Sequence, residues 1–374
     1  MSRFVIACGG TGGHLAPGIA VAEELTKVGH ECVLLVSRKG VDERLSAKYA
    51  NLTFVKSPGR GMQGGVLGIL PFLASQVHSI WFAFRLLSKK TGAVMAFGGF
   101  TSTGVVIAAF LRGIPVALHE ANRNPGRAVR LLRYFAKRLY LPDAVILSGV
   151  RASIVRYPGY PVRSEIRRIP RAQAREAFGI DSIGKLLVVL GGSQGAASLN
   201  KWAAENARAL CANGISLVCV CGPSQDVPAD FEMPHAGGMA KARFIAFCDK
   251  MGTLLSAADI VVSRAGAGSI AEIVECVVPS ILVPYPFAAD NHQQANARYL
   301  EQQGGCVVVD QERLGGLLSE VLDLAYSDWM QERLSFNLEQ VRRNNSASDI
   351  AADLCQLAKL PEASGAQPVT SPSP

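Results

Sequence analysis

What the 374-residue chain lacks narrows its class first. It has no C-x-x-C pair: nine cysteines, an odd number, are scattered, and only Cys219 and Cys221 stand close together. No metal site is visible in that pattern, and buried free thiols in a reducing cytosol are the expectation. No D-x-D-like acidic pair is present to hold a metal beside a phosphate. No signal-peptide pattern precedes the first strand, since Arg3 runs almost at once into it. Charge is absent from Gln63 to Phe84, but Pro71, Gln76, His78 and several glycines make that stretch a poor membrane span. Two familiar nucleotide signatures are missing as well. G-x-G-x-x-G fails because Leu15 stands three residues beyond Gly12, and the P-loop fails because His14 stands where its Gly-Lys pair is needed.

What is present begins with Gly9-Gly10-Thr11-Gly12-Gly13-His14, with Pro17 just beyond. An apolar run, Phe4 to Cys8, leads into it, and a helical pattern (Ile19, Val21, Ala22, Leu25) leads out. Glycines at such a junction let backbone approach a ligand, and the helix start offers unpaired N–H groups to an anion. A tight turn with no ligand explains the same glycines. His14 stands at that helix start, where a charged imidazole is disfavoured, which suits a general base. The excess of 38 basic over 30 acidic residues points to an anionic partner: nucleic acid, acidic lipid or nucleotide.

The length allows about two or three domains, and 49% apolar residues argue against disorder. Strand candidates at 3–8, 31–36, 52–56, 93–97, 114–118 and 138–147 alternate with helical stretches, the pattern of a covered parallel sheet. The design then restarts: Lys185 to Leu190 runs into Gly191-Gly192-Ser193-Gln194-Gly195 and another helix, with later strands at 216–221, 259–263, 280–284 and 306–309. The expected architecture is α/β, two similar Rossmann-like parallel-sheet domains facing across a cleft. Pro158, Pro161 and Pro170 mark a hinge over 157–171. Ile350, Leu354 and Leu357 predict a closing helix within 346–360, and the proline-rich residues 361–374 read as a disordered tail.

From Pro71 a helix would turn Leu73, Val77, Ile80, Trp81, Phe84 and Leu87 toward a core. Phe72, Phe82 and Leu86 would fall on another side, near Arg85, Lys89 and Lys90, with the apolar loop Val66 to Leu70 ahead of them. Apolar beside basic residues suit an anionic membrane surface, contacted over residues 64–90. His119-Glu120-Ala121-Asn122 and Gly98-Gly99-Phe100-Thr101-Ser102 each follow a strand, where ligands of open parallel sheets gather. Ser269 and Glu272 fit a helix capping box, or Glu272 takes two ribose hydroxyls while the helix start takes a phosphate. The amides following Asp290 and His292, namely Gln293 and Gln294, suit a sugar.

Together the ordered segments GGTGGHLAPG, GGFTS, HEAN, GYPVR, GGSQGA, SRAGAGSIAE and PYPFAADNHQQANA, over about residues 3–355, make the chain resemble the MurG-type glycosyltransferases. The resemblance implies a fold of the glycosyltransferase B type. An acceptor lobe would span 1–160 and be completed by the helix within 346–360; a donor lobe would span 161–345. It implies inverting, metal-independent transfer of N-acetylglucosamine from UDP-GlcNAc to the 4-hydroxyl of lipid I, giving lipid II in peptidoglycan synthesis. No cofactor is implied, and the place of work is the cytoplasmic face of the bacterial inner membrane, as a peripheral protein. Residue by residue, Thr11, Gly12 and Gly13 would line the diphosphate and sugar side, with His14 as the catalytic base. Asn122 would touch the donor sugar, Arg163 and Ser193 the phosphates, and Cys248 the uracil through its backbone. Ala267, Gly268, Ser269, Ile270, Ala271 and Glu272 would hold phosphate and ribose, and Gln294 the hexose with Gln293 beside it. Phe100, Ala121 and Tyr160 depart from the tyrosine, glutamine and asparagine common at those positions. Two other readings stay open: a different sugar-nucleotide enzyme of this architecture, such as an antibiotic glycosyltransferase or an epimerase, and a nucleic-acid binder. Arg123, Arg127, Arg130, Arg133, Lys137 and Arg138 suggest the latter but lack interleaved aromatics, so no nucleic-acid partner is expected.

Overall fold

A computed structural model describes residues 1–10, 12–37, 46–59, 61, 69–180, 184–192, 195–223, 225–343 and 345–359. Thr11, Ser193, the loop Val66 to Gly68 and the tail 361–374 therefore lie outside the described residues. Two seven-stranded sheets carry the fold. The first contains β1 (Arg3–Ala7), β2 (Glu31–Val36), β3 (Thr53–Lys56), β4 (Thr91–Ala96), β5 (Val116–His119), β6 (Arg138–Tyr140) and β7 (Val155–Arg156), in the order β3-β2-β1-β4-β5-β6-β7. Every pairing in it is parallel. The second contains β8 (Lys185–Leu190), β9 (Ile215–Val220), β10 (Phe231–His235), β11 (Gly238–Ile245), β12 (Ile260–Ser263), β13 (Ser280–Leu282) and β14 (Val307–Val308), in the order β10-β11-β9-β8-β12-β13-β14. Among the described residues only the β10–β11 hairpin is antiparallel there.

Both orders carry a switch point, between β1 and β4 and between β8 and β12, where the chain passes to the other side of its first strand. At such a switch point the connections leave to opposite sides, and a crevice opens beyond the strand ends. The glycine turns after β1 and after β8 stand at these two crevices. A Cβ on Gly9 would collide with the backbone of Val36 and Ser37, and one on Gly195, at φ 77°, with the Cys221 carbonyl. These two glycines are required by close backbone approach.

Each sheet is covered on both faces by apolar side chains. The closing helix α12 (Ser346–Leu357) packs on helix 12–27 and on β4, and its buried Ile350, Ala351, Leu354 and Cys355 join the core that holds Phe4, Ile6 and Leu34. Asp353 anchors it, accepting from Arg138 Nε at 3.0 Å and from the Tyr140 hydroxyl at 2.8 Å. All nine cysteines are buried and free, as expected for structural thiols.

One expected orientation is reversed. In helix α2 (Ile69–Leu86), Leu70, Leu73, Val77 and Trp81 are 52–78% exposed, although Leu73, Val77 and Trp81 were expected to face the core. Its covered side carries Gln76, Ser79 and Ala83 instead, continuing to Leu87; Ile80 and Phe84 are half-buried, as are Phe72, Phe82 and Leu86. The reason is the neighbouring helix α3 (Phe100–Leu111): a Cβ on Gly104 would collide with Ser79. Helices that pack so closely need small residues at the contact, and the bulky ones are turned outward.

Candidate active site

The site is built from two helix starts and the segment that joins the lobes. Helix α1 (Gly12–Lys27) begins with Gly12, Gly13 and His14. The imidazole of His14 lies against the turn after β4: a Cβ on Gly99 would sit 3.4 Å from its Cε1, and one on Gly98 3.9 Å from its Nε2. Thr101 closes the same corner, donating its hydroxyl to the Gly9 carbonyl at 2.8 Å. His14 is thus held between the two glycine turns of the first switch point, half-buried.

Across from it, helix α8 (Ala267–Cys276) starts from the Gly266 N-cap with no side-chain cap. The capping-box expectation fails here. Ser269 is the third helical residue, not the cap, and Glu272 points to Arg163, accepting from its Nη2 at 3.0 Å. The uncapped amides of Ala267, Gly268 and Ser269 are what an anion would meet, with Ile270 and Ala271 half-buried behind them. Arg163 also pairs with Glu165 at 3.0 Å and reaches the Tyr49 hydroxyl at 3.5 Å. Burial works against its charge, but Glu272, Tyr49 and Glu165 outweigh it and hold the guanidinium above its ordinary range. Cys248 is buried after β11, close enough to Lys48 and Glu272 to feel both charges; burial pushes its thiol up.

Asn122 is fixed from both lobes. Its main-chain N–H and its amide both donate to Glu120 Oε1, at 2.8 and 3.1 Å, and its carbonyl oxygen accepts from Asn296 Nδ2 at 3.1 Å. Asn296 Oδ1 in turn accepts from the Arg123 main chain at 3.0 Å. Burial raises the Glu120 carboxyl above the ordinary carboxylate range, against the hydrogen bonds from Asn122 and Gly126 that favour its charged form. His119 beside it is pushed down to about 4, mainly by burial and further by His14.

The structure thus gathers Gly13, His14, Asn122, Arg163, Cys248 and the start of α8 around one interlobe cleft. Gln293 and Gln294 open helix α9 (His292–Gln302) but are already engaged: Gln293 Oε1 accepts from the Tyr285 amide at 2.9 Å, and Gln294 Nε2 donates to Asp310 at 3.2 Å. Gln293 therefore shapes the loop after β13, and Gln294 ties the start of α9 to Asp310. Sequence reasoning missed Asn296 and Glu120 as partners of Asn122. The first lies 174 residues away, and no local pattern could have flagged it; the second was visible as the neighbour of Asn122 in H-E-A-N. Among the arginines considered for nucleic acid, Arg123 stacks on Tyr299 at 3.4 Å, Arg130 pairs with Asp290 at 2.9 Å and Arg138 pairs with Asp353 at 3.0 Å.

Two look-alike parallel-sheet lobes, glycine turns at both switch points and an anion-receiving helix start opposite a histidine define a two-lobed glycosyltransferase of the B type. Residues 4–141 match the glycosyltransferase family 28 N-terminal domain and residues 186–354 its C-terminal domain. The chain belongs to glycosyltransferase family 28. It is 48% identical over 367 residues to the UDP-N-acetylglucosamine--N-acetylmuramyl-(pentapeptide) pyrophosphoryl-undecaprenol N-acetylglucosamine transferase of Opitutus terrae, covering 98% of this chain and 97% of that one. The crystal structure of MurG from Acinetobacter baumannii superposes with a TM-score of 0.68 at 24% identity, over 95% of this chain and 99% of that one. The crystal structure of a "putative UDP-N-acetylglucosamine 2-epimerase" from Listeria monocytogenes shares the fold at 12% identity and a TM-score of 0.69, over 95% of this chain and 96% of that one.

Proposed function

We propose that this chain transfers N-acetylglucosamine from UDP-GlcNAc to the 4-hydroxyl of the N-acetylmuramyl sugar of lipid I, yielding lipid II. The observation that carries the reading is the Arg163–Glu272 pair beneath the uncapped start of α8, opposite His14. A ribose diol needs a carboxylate acceptor and a diphosphate needs a cationic donor; here the two groups wait paired with each other. On donor binding, Glu272 turns to the ribose hydroxyls and Arg163 to the phosphates. The lobe over 161–345 holds the donor, and the lobe over 1–160, with the helix within 346–360, holds the acceptor.

The acceptor hydroxyl attacks the anomeric carbon and displaces UDP, with inversion. His14 takes the hydroxyl proton. Charge growing on the departing diphosphate meets the α8 amides and Arg163. The helix dipole contributes about 0.3–1 kcal/mol, whereas a hydrogen bond to a charged group is worth about 1.5–3 kcal/mol. The amides' own hydrogen bonds to the diphosphate fall in that same range, and the guanidinium adds the full charge that would otherwise call for a metal ion. Asn122, held by Glu120 and Asn296, is placed to touch the donor sugar.

The acceptor's lipid calls for a membrane surface. Among the described residues no helix is long and apolar enough to cross a membrane. The outward stripe of α2 instead offers Leu70, Leu73, Val77 and Trp81, with Arg85 over the Trp81 ring at 3.7 Å. Lys89 and Lys90 follow, and Arg112 over Phe84 brings up the exposed Phe110 and Leu111. We read this stripe as a peripheral contact with an anionic leaflet, which fits work at the cytoplasmic face of the bacterial inner membrane. The same stripe favours a transferase over an epimerase, whose substrate needs no membrane. The test is turnover of UDP-GlcNAc with a lipid I analogue, with and without chelator. Lipid II formed equally in both supports the reading; no product with either overturns it.

A further inference from the structure

Pro17 lies inside helix α1. A helical carbonyl normally accepts from the amide four residues on, and for Gly13 that amide would belong to Pro17, which has none. The carbonyl next to His14 is therefore left without its helical donor. The Tyr160 hydroxyl reaches it from the interlobe segment and donates to Gly13 O at 3.2 Å. The same hydroxyl lies across the start of α8: a Cβ on Gly268 would sit 2.9 Å from it. The ring packs edge-on to His119 at 6.1 Å, and His119 leans on Phe97 at 5.1 Å. Gly159, at φ 87°, makes the preceding turn, and Pro161 confines the Tyr160 backbone to extended geometry, so the side chain is presented from a stiff base.

We propose that Tyr160 is a positioning residue, replacing the hydrogen bond that Pro17 withholds from Gly13 and so fixing the gap between the helix start that carries His14 and the one that receives the donor's phosphates. Burial first, then the Glu272 charge, push the phenol above its ordinary range, so it stays a hydrogen-bond donor at every working pH. A cavity of about 160 Å³ lies behind the ring, lined among others by Ile270, Val274, Asn296 and Ser346. That space gives the ring room to move once the phenol loses its hold, and the two helix starts are then free to shift.

The inference rests on the transferase reading, and its test separates the two. In the full chain, Tyr160→Phe should lower kcat by up to about tenfold, the upper end of the net worth of one hydrogen bond, with UDP affinity changed less than twofold. In a Pro17→Ala background, residue 17 supplies the missing amide, and Tyr160→Phe should change kcat less than twofold. An equal loss in both backgrounds, or no loss in either, overturns the proposal. Hydrogen exchange over residues 13–18 gives an independent readout that needs no turnover: Tyr160→Phe should speed it in the wild-type background, and unchanged exchange also overturns the proposal. A wild-type chain inert toward UDP-GlcNAc and lipid I would instead sink the transferase reading and leave the exchange result standing.

Discussion

Replacing Glu272 by alanine separates donor recognition from architecture. Its side chain is 18% accessible and that of Arg163 11%, with 3.0 Å between them. Breaking a buried pair usually costs about 3–5 kcal/mol because a charge is stranded. Arg163 is not stranded here, since Glu165 remains at 3.0 Å and the Tyr49 hydroxyl at 3.5 Å. The stability loss should therefore be nearer about 1–2 kcal/mol, well under half of the stranded case, and the variant should fold. Donor binding should suffer more. Losing a charged acceptor for the ribose removes about 1.5–3 kcal/mol, about 10–150-fold in Kd. Calorimetry with UDP and with 2′-deoxy-UDP makes the cause visible: wild type should prefer UDP, and Glu272→Ala should bind both with similar, weakened affinity. An unchanged Kd, or a retained preference for UDP, would refute the reasoning.

His14→Ala should lower kcat by about 10²–10⁴, the usual contribution of a general base, while UDP affinity holds; near-normal turnover removes that role. Val77→Glu with Trp81→Glu should abolish sedimentation with anionic vesicles yet leave melting temperature nearly unchanged, because both side chains are exposed; persistent sedimentation would place the contact elsewhere. His119 should stay neutral down to about pH 4, readable from its imidazole resonances. Because the unfolded chain takes up that proton near pH 6.5, the folded state loses stability as pH falls from 6.5 toward 4, by about 3 kcal/mol at most. A His119→Gln variant should lack that component of the acid sensitivity, and identical pH curves would count against it.

The sheets were the legible part. Runs such as Phe4 to Ala7 and Leu186 to Leu190 are apolar on both faces, which only a covered parallel strand requires, and the paired glycines after them mark where the backbone must turn sharply. The hairpin β10–β11 was missed because Phe231-Glu232-Met233-Pro234 alternates weakly and carries a proline, tolerated here at the sheet's edge. The facing of α2 was misread for a different reason. Periodicity identifies a stripe, but whether that stripe meets core or solvent depends on the neighbour, and Gly104 demanded small residues. The site was legible where a motif is local, as in Gly9 to His14 and Gly266 to Glu272. It was opaque where two distant segments complete one hydrogen bond, as Asn122 with Asn296 or Gly13 with Tyr160.

The last helix has a consequence for synthesis on the ribosome. Ile350 and Leu354 share one core with Phe4 and Ile6 of the first strand. The first sheet must wait for that helix, part of one flank uncovered, until the whole second lobe has been translated. A nascent chain stalled before Ser346 would show that flank to chaperones, and release of residues 346–357 would end their hold.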